Sequence, residues 1–266
     1  MGSELTPYRQ QLEQQAVVYA EQEQLIGGTF LSIRGGELSF GEEIMPGNQV
    51  CAIVLDAVRE NTYYEGKYDA DNPAAPICYA FGRGDGTDMA PHESMQSAPD
   101  YFKPQSAECN GCVHAEWGSA DQGRGKACQN RRRLALIPAG FYQPKRGSRD
   151  FNLEIFDDLK HFQSADVAFL KLPVLSVKDW SKYVVQLSTA LRLPPHGVIT
   201  RIFVEPDAKA QYKVCFEMIE EVPDALLPII MERHAQAEAA IIQGYAPPRA
   251  EPAPAAGTLR NFRRGR

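Results

Sequence analysis

Cys109-Asn110-Gly111-Cys112, preceded by Cys78 in Pro76-Ile77-Cys78 and followed by Cys128 in Gly125-Lys126-Ala127-Cys128, is the stretch whose reading decides the fold. Two thiolates separated by two residues can grip one metal ion while the backbone between them turns tightly, and Gly111 permits that turn. The pair alone is a weak signal, because redox enzymes also carry it. In those enzymes the first cysteine opens a helix after a strand. Here the flanks are Pro-Gln-Ser-Ala-Glu and Val-His-Ala-Glu-Trp, which supply no such strand. Cys128 lies 16 residues past Cys112, and Cys78 lies 31 before Cys109. Together the four complete a tetrahedral set. The expected cofactor is a structural Zn2+, with an iron–sulfur cluster and unliganded thiols as competing readings. His92 and His114 are alternatives to Cys78, the ligand farthest from the others. Cys51 and Cys215 sit in apolar strand patterns and read as small buried residues. Four thiolates leave no open coordination position, so such a site supports structure rather than catalysis.

Outward from the cysteines, residues 83–130 have no hydrophobic periodicity and are rich in Gly, Ser, Pro, Asp and Gln. A loop of that length inside a compact domain needs something to hold it, and a metal would. On the N-terminal side, residues 1–26 are expected to form a helix, amphipathic over Leu5 to Leu25, which Gly27-Gly28 ends. Thr29 to Phe40 contains Arg34-Gly35-Gly36-Glu37 and reads as a β-hairpin. Gln49 to Val58 is apolar on both faces, as a central covered strand would be. Thr62 to Tyr68 and Ile77 to Gly82 are further strands. On the C-terminal side, strands are expected at Arg132 to Ile137 and Val167 to Leu172. A helix capped by Ser176 runs over Val177 to Leu191. Gly197 to Glu205 and Gln211 to Ile219 form a hairpin, the second strand alternating strictly between apolar and polar residues. A last helix covers Asp224 to Gln243. Residues 244–266 are Pro- and Ala-rich, carry five Arg and one Glu, and are expected to be a disordered basic tail.

The chain of 266 residues is 44% hydrophobic and 23% charged, an ordinary globular composition. It shows neither an apolar run long enough for a membrane span nor a signal peptide. The expectation is an intracellular protein with no membrane partner, whose six cysteines stay reduced. A net charge of −6 argues against a uniformly basic coat, but the distribution is uneven. Between Gln122 and Arg149 there is no acidic residue, while eight are basic, among them Arg124, Lys126, Arg131, Arg132 and Arg133. Such a local field can attract a polyanion, although an isolated charge run is more often a solvated surface. In a strand, Arg131 and Arg133 would share one face and Arg132 the other. Aromatic residues are interleaved nearby: Tyr63, Tyr64, Tyr79, Phe81 and Trp117. Arg201 and Phe203 share a face farther along. Cations among aromatic platforms suit single-stranded nucleic acid, because every base offers a π-face. The bland reading is that many of these rings are core. No phosphate-binding loop, nucleophile elbow, HExxH helix or deaminase pattern is present, so a non-enzyme is expected.

Pro76-Ile-Cys78, Cys109-Asn-Gly-Cys112, Glu116-Trp117-Gly118-Ser119, Gly123-Arg-Gly-Lys126-Ala-Cys128 and Arg131-Arg-Arg-Leu134 together resemble a module of tailed-bacteriophage proteins. Some of these are regarded as zinc-containing single-stranded-DNA-binding proteins. The resemblance is close over residues 76–137 and loose over 50–220. It implies a mainly β, α+β fold: an oligonucleotide-binding (OB)-like barrel spanning 27–243, with a four-cysteine zinc loop inserted at about 76–130. It also implies non-sequence-specific single-stranded DNA binding in phage replication or recombination, within the cytoplasm of an infected bacterium. Replication proteins are then expected partners, and self-association is left open. One departure is the basic tail, Arg260-Asn-Phe-Arg-Arg-Gly-Arg266, where such proteins usually end in an acidic segment. The alternative is a zinc-stapled phage protein that binds and modulates a host enzyme, such as RNA polymerase or a nuclease.

Overall fold

Gly35 and Gly36 both have positive φ, the backbone that a two-residue hairpin turn demands. They join β1 (Phe30–Arg34) to β2 (Glu37–Phe40) in an antiparallel pair that sets Arg34 opposite Glu37. The short β3 (Glu43–Ile44) extends this hairpin. The computed structural model describes residues 30–41, 43–66, 75–121, 125–208 and 210–247. The helix expected over residues 1–26, and the tail beyond residue 247, lie outside the described residues.

The central strand is β4 (Gln49–Tyr63). It is longer than the sequence pattern suggests, because Thr62 and Tyr63 continue it instead of opening a separate strand. After it come β5 (Cys78–Gly82), β6 (Gln129–Pro144), β7 (Phe151–Ile155) and β8 (Ala168–Leu172). A short helix, α1 (Leu159–Ser164), precedes β8, and α2 (Val177–Ala190) follows it. The hairpin of β9 (Val198–Asp207) and β10 (Gln211–Glu221) leads into α3 (Leu227–Ala240).

The fold is mixed α+β and mainly β. Its main sheet runs in the order β10-β9-β4-β6-β8-β1-β2-β3, with β7 beside β6. Every pairing given by register is antiparallel except β1 with β8. The sheet is open among the described residues, with β10 and β3 ending the path. This differs from the OB-like barrel the resemblance implies, since a barrel needs its terminal strands to pair.

The chain divides into two compact units. The larger comprises residues 1–60, 82–86 and 130–243, and the smaller 61–81, 87–129 and 244–266. In the larger unit, one sheet face buries Ala52, Val54, Leu134, Leu136, Leu170, Val198 and Ile202 beneath Trp180, Tyr183 and Leu187 of α2. Ser176 holds the N-cap position of α2 but makes no side-chain capping bond. Its buried hydroxyl accepts from the Val214 amide at 2.9 Å, tying the start of the helix to β10. Ile53, Leu55, Ala135 and Ile137 alternate with the first set and so face the other way. On that side His234 of α3 donates through Nδ1 to the Leu55 carbonyl at 2.7 Å. A strand with apolar cover on both sides must be central.

The smaller unit has little regular structure beyond β5 and two short 3-10 turns, Glu93–Ser97 and Val113–Ala115. The Ile77 amide donates to the Tyr63 carbonyl at 2.9 Å, where β5 meets the end of β4. Tyr79, Met95 and Phe102 form its buried apolar cluster. Tyr245, placed in the tail by the sequence pattern, packs edge-on against Tyr79 at 4.9 Å between centroids.

Candidate metal centre

Cys78, Cys109, Cys112 and Cys128 line one cavity in the smaller unit, together with Asn61, Tyr63, Gln105 and His114. The cavity holds about 20 Å³, room for one water-sized occupant. Each cysteine reaches it by a local device. Cys78 opens β5. The Cys109 amide donates to the Met89 carbonyl at 2.8 Å, and the Cys112 amide closes the knuckle on the Cys109 carbonyl at 3.3 Å. Gly111 has a φ of +79°, which is why glycine serves between the two cysteines. Cys128 is anchored through its amide to the His114 carbonyl at 2.8 Å.

The electrostatics of the cavity are those of crowded sulfur. Burial pushes the Cys128 thiol up to about 12, and the neighbouring Cys109, Cys78 and Cys112 add to the rise. Burial likewise raises Cys78 and Cys109, while the Asn61 side chain, hydrogen-bonded to Cys109, pulls that thiol the other way. A divalent cation bound here would have to displace the thiol protons, so its binding would strengthen with rising pH. The four thiols are soft-metal donors in chemistry, and they line one cavity. All six cysteines are unbridged. Among the described residues, no three His, Cys, Asp or Glu side chains are drawn together as a preformed metal-binding group. The sulfurs thus share a cavity without closing on a common point.

The two histidines weighed as alternative ligands separate. His114 lines the cavity, its ring stacked on Tyr63 at 4.1 Å. The His92 ring belongs to the Tyr79 cluster instead. Its Nδ1 lies 2.7 Å from Ser94 Oγ, which lies 2.6 Å from Tyr79 Oη.

The nucleic-acid residues expected from sequence divide between the units. In the smaller unit, Trp117 is 78% exposed, and Lys126 Nζ lies 5.8 Å from its ring centroid. Both belong to the segment between Cys112 and Cys128. Tyr63 and Tyr64 are half-buried, as is Phe81 against the Tyr79 cluster. Tyr79 itself is a core residue with no face for a base. Arg124 lies outside the described residues.

In the larger unit, Arg131 and Arg132 are half-buried. Burial, and then Arg59, lowers Arg132 to about 10. Arg133 is taken up inside the protein. It is buried, pairs with Glu60 at 2.5 Å, and donates to the Ile241 and Gln243 carbonyls at 3.1 and 2.9 Å. Arg201 stacks over Phe203 at 4.3 Å, as their shared face suggests. It is also engaged by Gln49 at 2.7 Å and Glu217 at 3.0 Å.

Asn61 and Ser119 carry local geometry to which the sequence pattern assigns no role, although Ser119 lies in the Glu116–Ser119 motif. Asn61 has no distinguishing signal, since it continues an apolar strand. No protein family, curated protein or solved structure matches the chain. No helix among the described residues is long and apolar enough to cross a membrane.

Proposed function

We propose that the chain binds single-stranded DNA without sequence preference, in phage replication or recombination, through a loop stapled by a structural zinc ion. Cys78, Cys109, Cys112 and Cys128 would hold the metal, with His114 the alternative donor at the same cavity. When bound, the metal supplies rigidity to a segment that has almost no regular structure of its own. The role is binding, not catalysis.

The observation that carries the reading is Trp117. A large indole left 78% exposed, with an ammonium beside it, has no role in a core. It is the pairing that base stacking and phosphate neutralisation require. The resemblance to phage single-strand binders rests on the same segment. Support from Arg131 to Arg133 is weaker than the sequence suggests, because Arg133 is committed to Glu60.

Filter binding of oligo-dT at two ionic strengths tests the proposal. Affinity should fall with rising salt as counterions are released. Trp117→Ala should weaken binding by about 1–3 kcal/mol, the worth of one stacked base. Failure to bind oligo-dT even at low salt would remove the DNA reading.

A further inference from the structure

We propose that Ser119 is the positioning residue of the Trp117 platform, its hydroxyl closing the neck of the loop that carries Trp117 and Lys126. The inference rests on the single-strand-binding reading above and names a residue on which that reading depends. Trp117 is largely in solvent, so packing cannot fix its place, and its backbone must.

The side-chain ties of that backbone converge on Ser119. Ser119 Oγ lies 2.7 Å from the Glu116 carbonyl and 3.0 Å from the His114 carbonyl, and it accepts the Ala127 amide at 3.0 Å. A hydroxyl has one proton and two lone pairs. The proton is therefore shared between the two carbonyls while a lone pair takes the amide. His114 and Glu116 follow Cys112, and Ala127 precedes Cys128, so one side chain joins the outgoing limb to the returning limb. Main-chain bonds from Gly118 and Ala120 to the Gly125 carbonyl, at 2.9 and 3.2 Å, reinforce the same closure. Trp117 sits on one limb and Lys126 on the other, and the latch holds them in register.

The proposed metal would fix only the two ends of the segment, at Cys112 and Cys128. Without the hydroxyl, the Gly118, Ala120 and Cys128 main-chain bonds would still join the limbs, but the Glu116–Ala127 neck beside Trp117 and Lys126 would loosen and part of its ordering would fall to the moment of binding. A glycine-serine pair beside the tryptophan would pass in the sequence for simple loop chemistry.

Zinc content, the thermal melt and oligo-dT affinity measured on Ser119→Ala, Ser119→Thr and Trp117→Ala test the assignment. Ser119→Ala should keep its metal and its melt, lose about five- to tenfold in affinity, and show faster local motion in Trp117 fluorescence anisotropy. The other tryptophan, Trp180, is only 4% exposed and serves as the internal reference. Ser119→Thr, which keeps the hydroxyl, should restore both readouts. If Trp117→Ala binds as tightly as the parent chain, the platform itself is absent and both proposals fall. If Trp117→Ala weakens binding but Ser119→Ala does not, only the latch is wrong. Loss of zinc in Ser119→Ala would also overturn it, since the hydroxyl would then serve the metal site instead of the platform.

Discussion

Arg133 meets Glu60 at 2.5 Å with both side chains almost fully out of solvent, and Lys171 Nζ stands 3.8 Å from the same carboxylate oxygen. Burial is the main reason Lys171 is lowered to about 8, with Glu60 opposing it and Arg133 and Arg131 adding to it. Removing one member of a buried pair strands the other charge, which costs about 3–5 kcal/mol. Arg133→Ala should therefore lower the urea midpoint by that equivalent, while oligo-dT affinity of the folded protein stays within about twofold of the parent. Equal losses in stability and binding would return Arg133 to the nucleic-acid set. The sequence shows that Arg131 and Arg133 share a strand face, because alternation is local. It does not show which face is covered. That depends on Glu60, 73 residues upstream, and on carbonyls more than 100 residues downstream. Tyr79 follows the same logic: its ring reads equally well as platform or core until Met95 and Phe102 are seen against it.

At the scale of elements, local chemistry was legible and long-range completion was not. The Gly35-Gly36 turn and the β9–β10 hairpin follow from turn residues and strict alternation. β7 has no strong pattern, and only its pairing with β6 reveals it. Ser176 looks like a helix cap by position, yet its hydroxyl serves β10, a choice made by packing. The segment after α3 is the clearest case. Gly244 and Tyr245 belong to a Pro- and Ala-rich stretch, but they complete the Tyr79 cluster. A Cβ at Gly244 would collide with Ser94 Oγ and come within 2.6 Å of Tyr79 Oη. Gly244→Ala should destabilise the smaller unit by about 1–3 kcal/mol through overpacking. Hydrogen exchange should then show lost protection over residues 77–102, with β9 and β10 unchanged. Unchanged exchange at Tyr79 and Met95 would mean that the contact is dispensable.

Taken whole, the molecule joins a unit with ordinary sheet-and-helix packing to one that has few means of holding itself. The larger unit buries both faces of β4. Its open sheet was not legible, because closure of a barrel depends on pairing between strands distant in sequence. Among its described residues the smaller unit offers four large buried apolar side chains, Tyr79, Met89, Met95 and Phe102, and two short 3-10 turns. Small units of this kind are usually stapled by disulfides or a metal. Its four cysteines are unbridged and line one cavity, and the metal we propose there would be the staple. Elemental analysis of the chain purified without chelator tests that claim most directly. One zinc ion per chain, lost on Cys128→Ser while Cys51→Ser keeps it, is the predicted result. A chain that carries no metal, with Cys78, Cys109, Cys112 and Cys128 all open to a thiol reagent while the smaller unit stays folded, would contradict it.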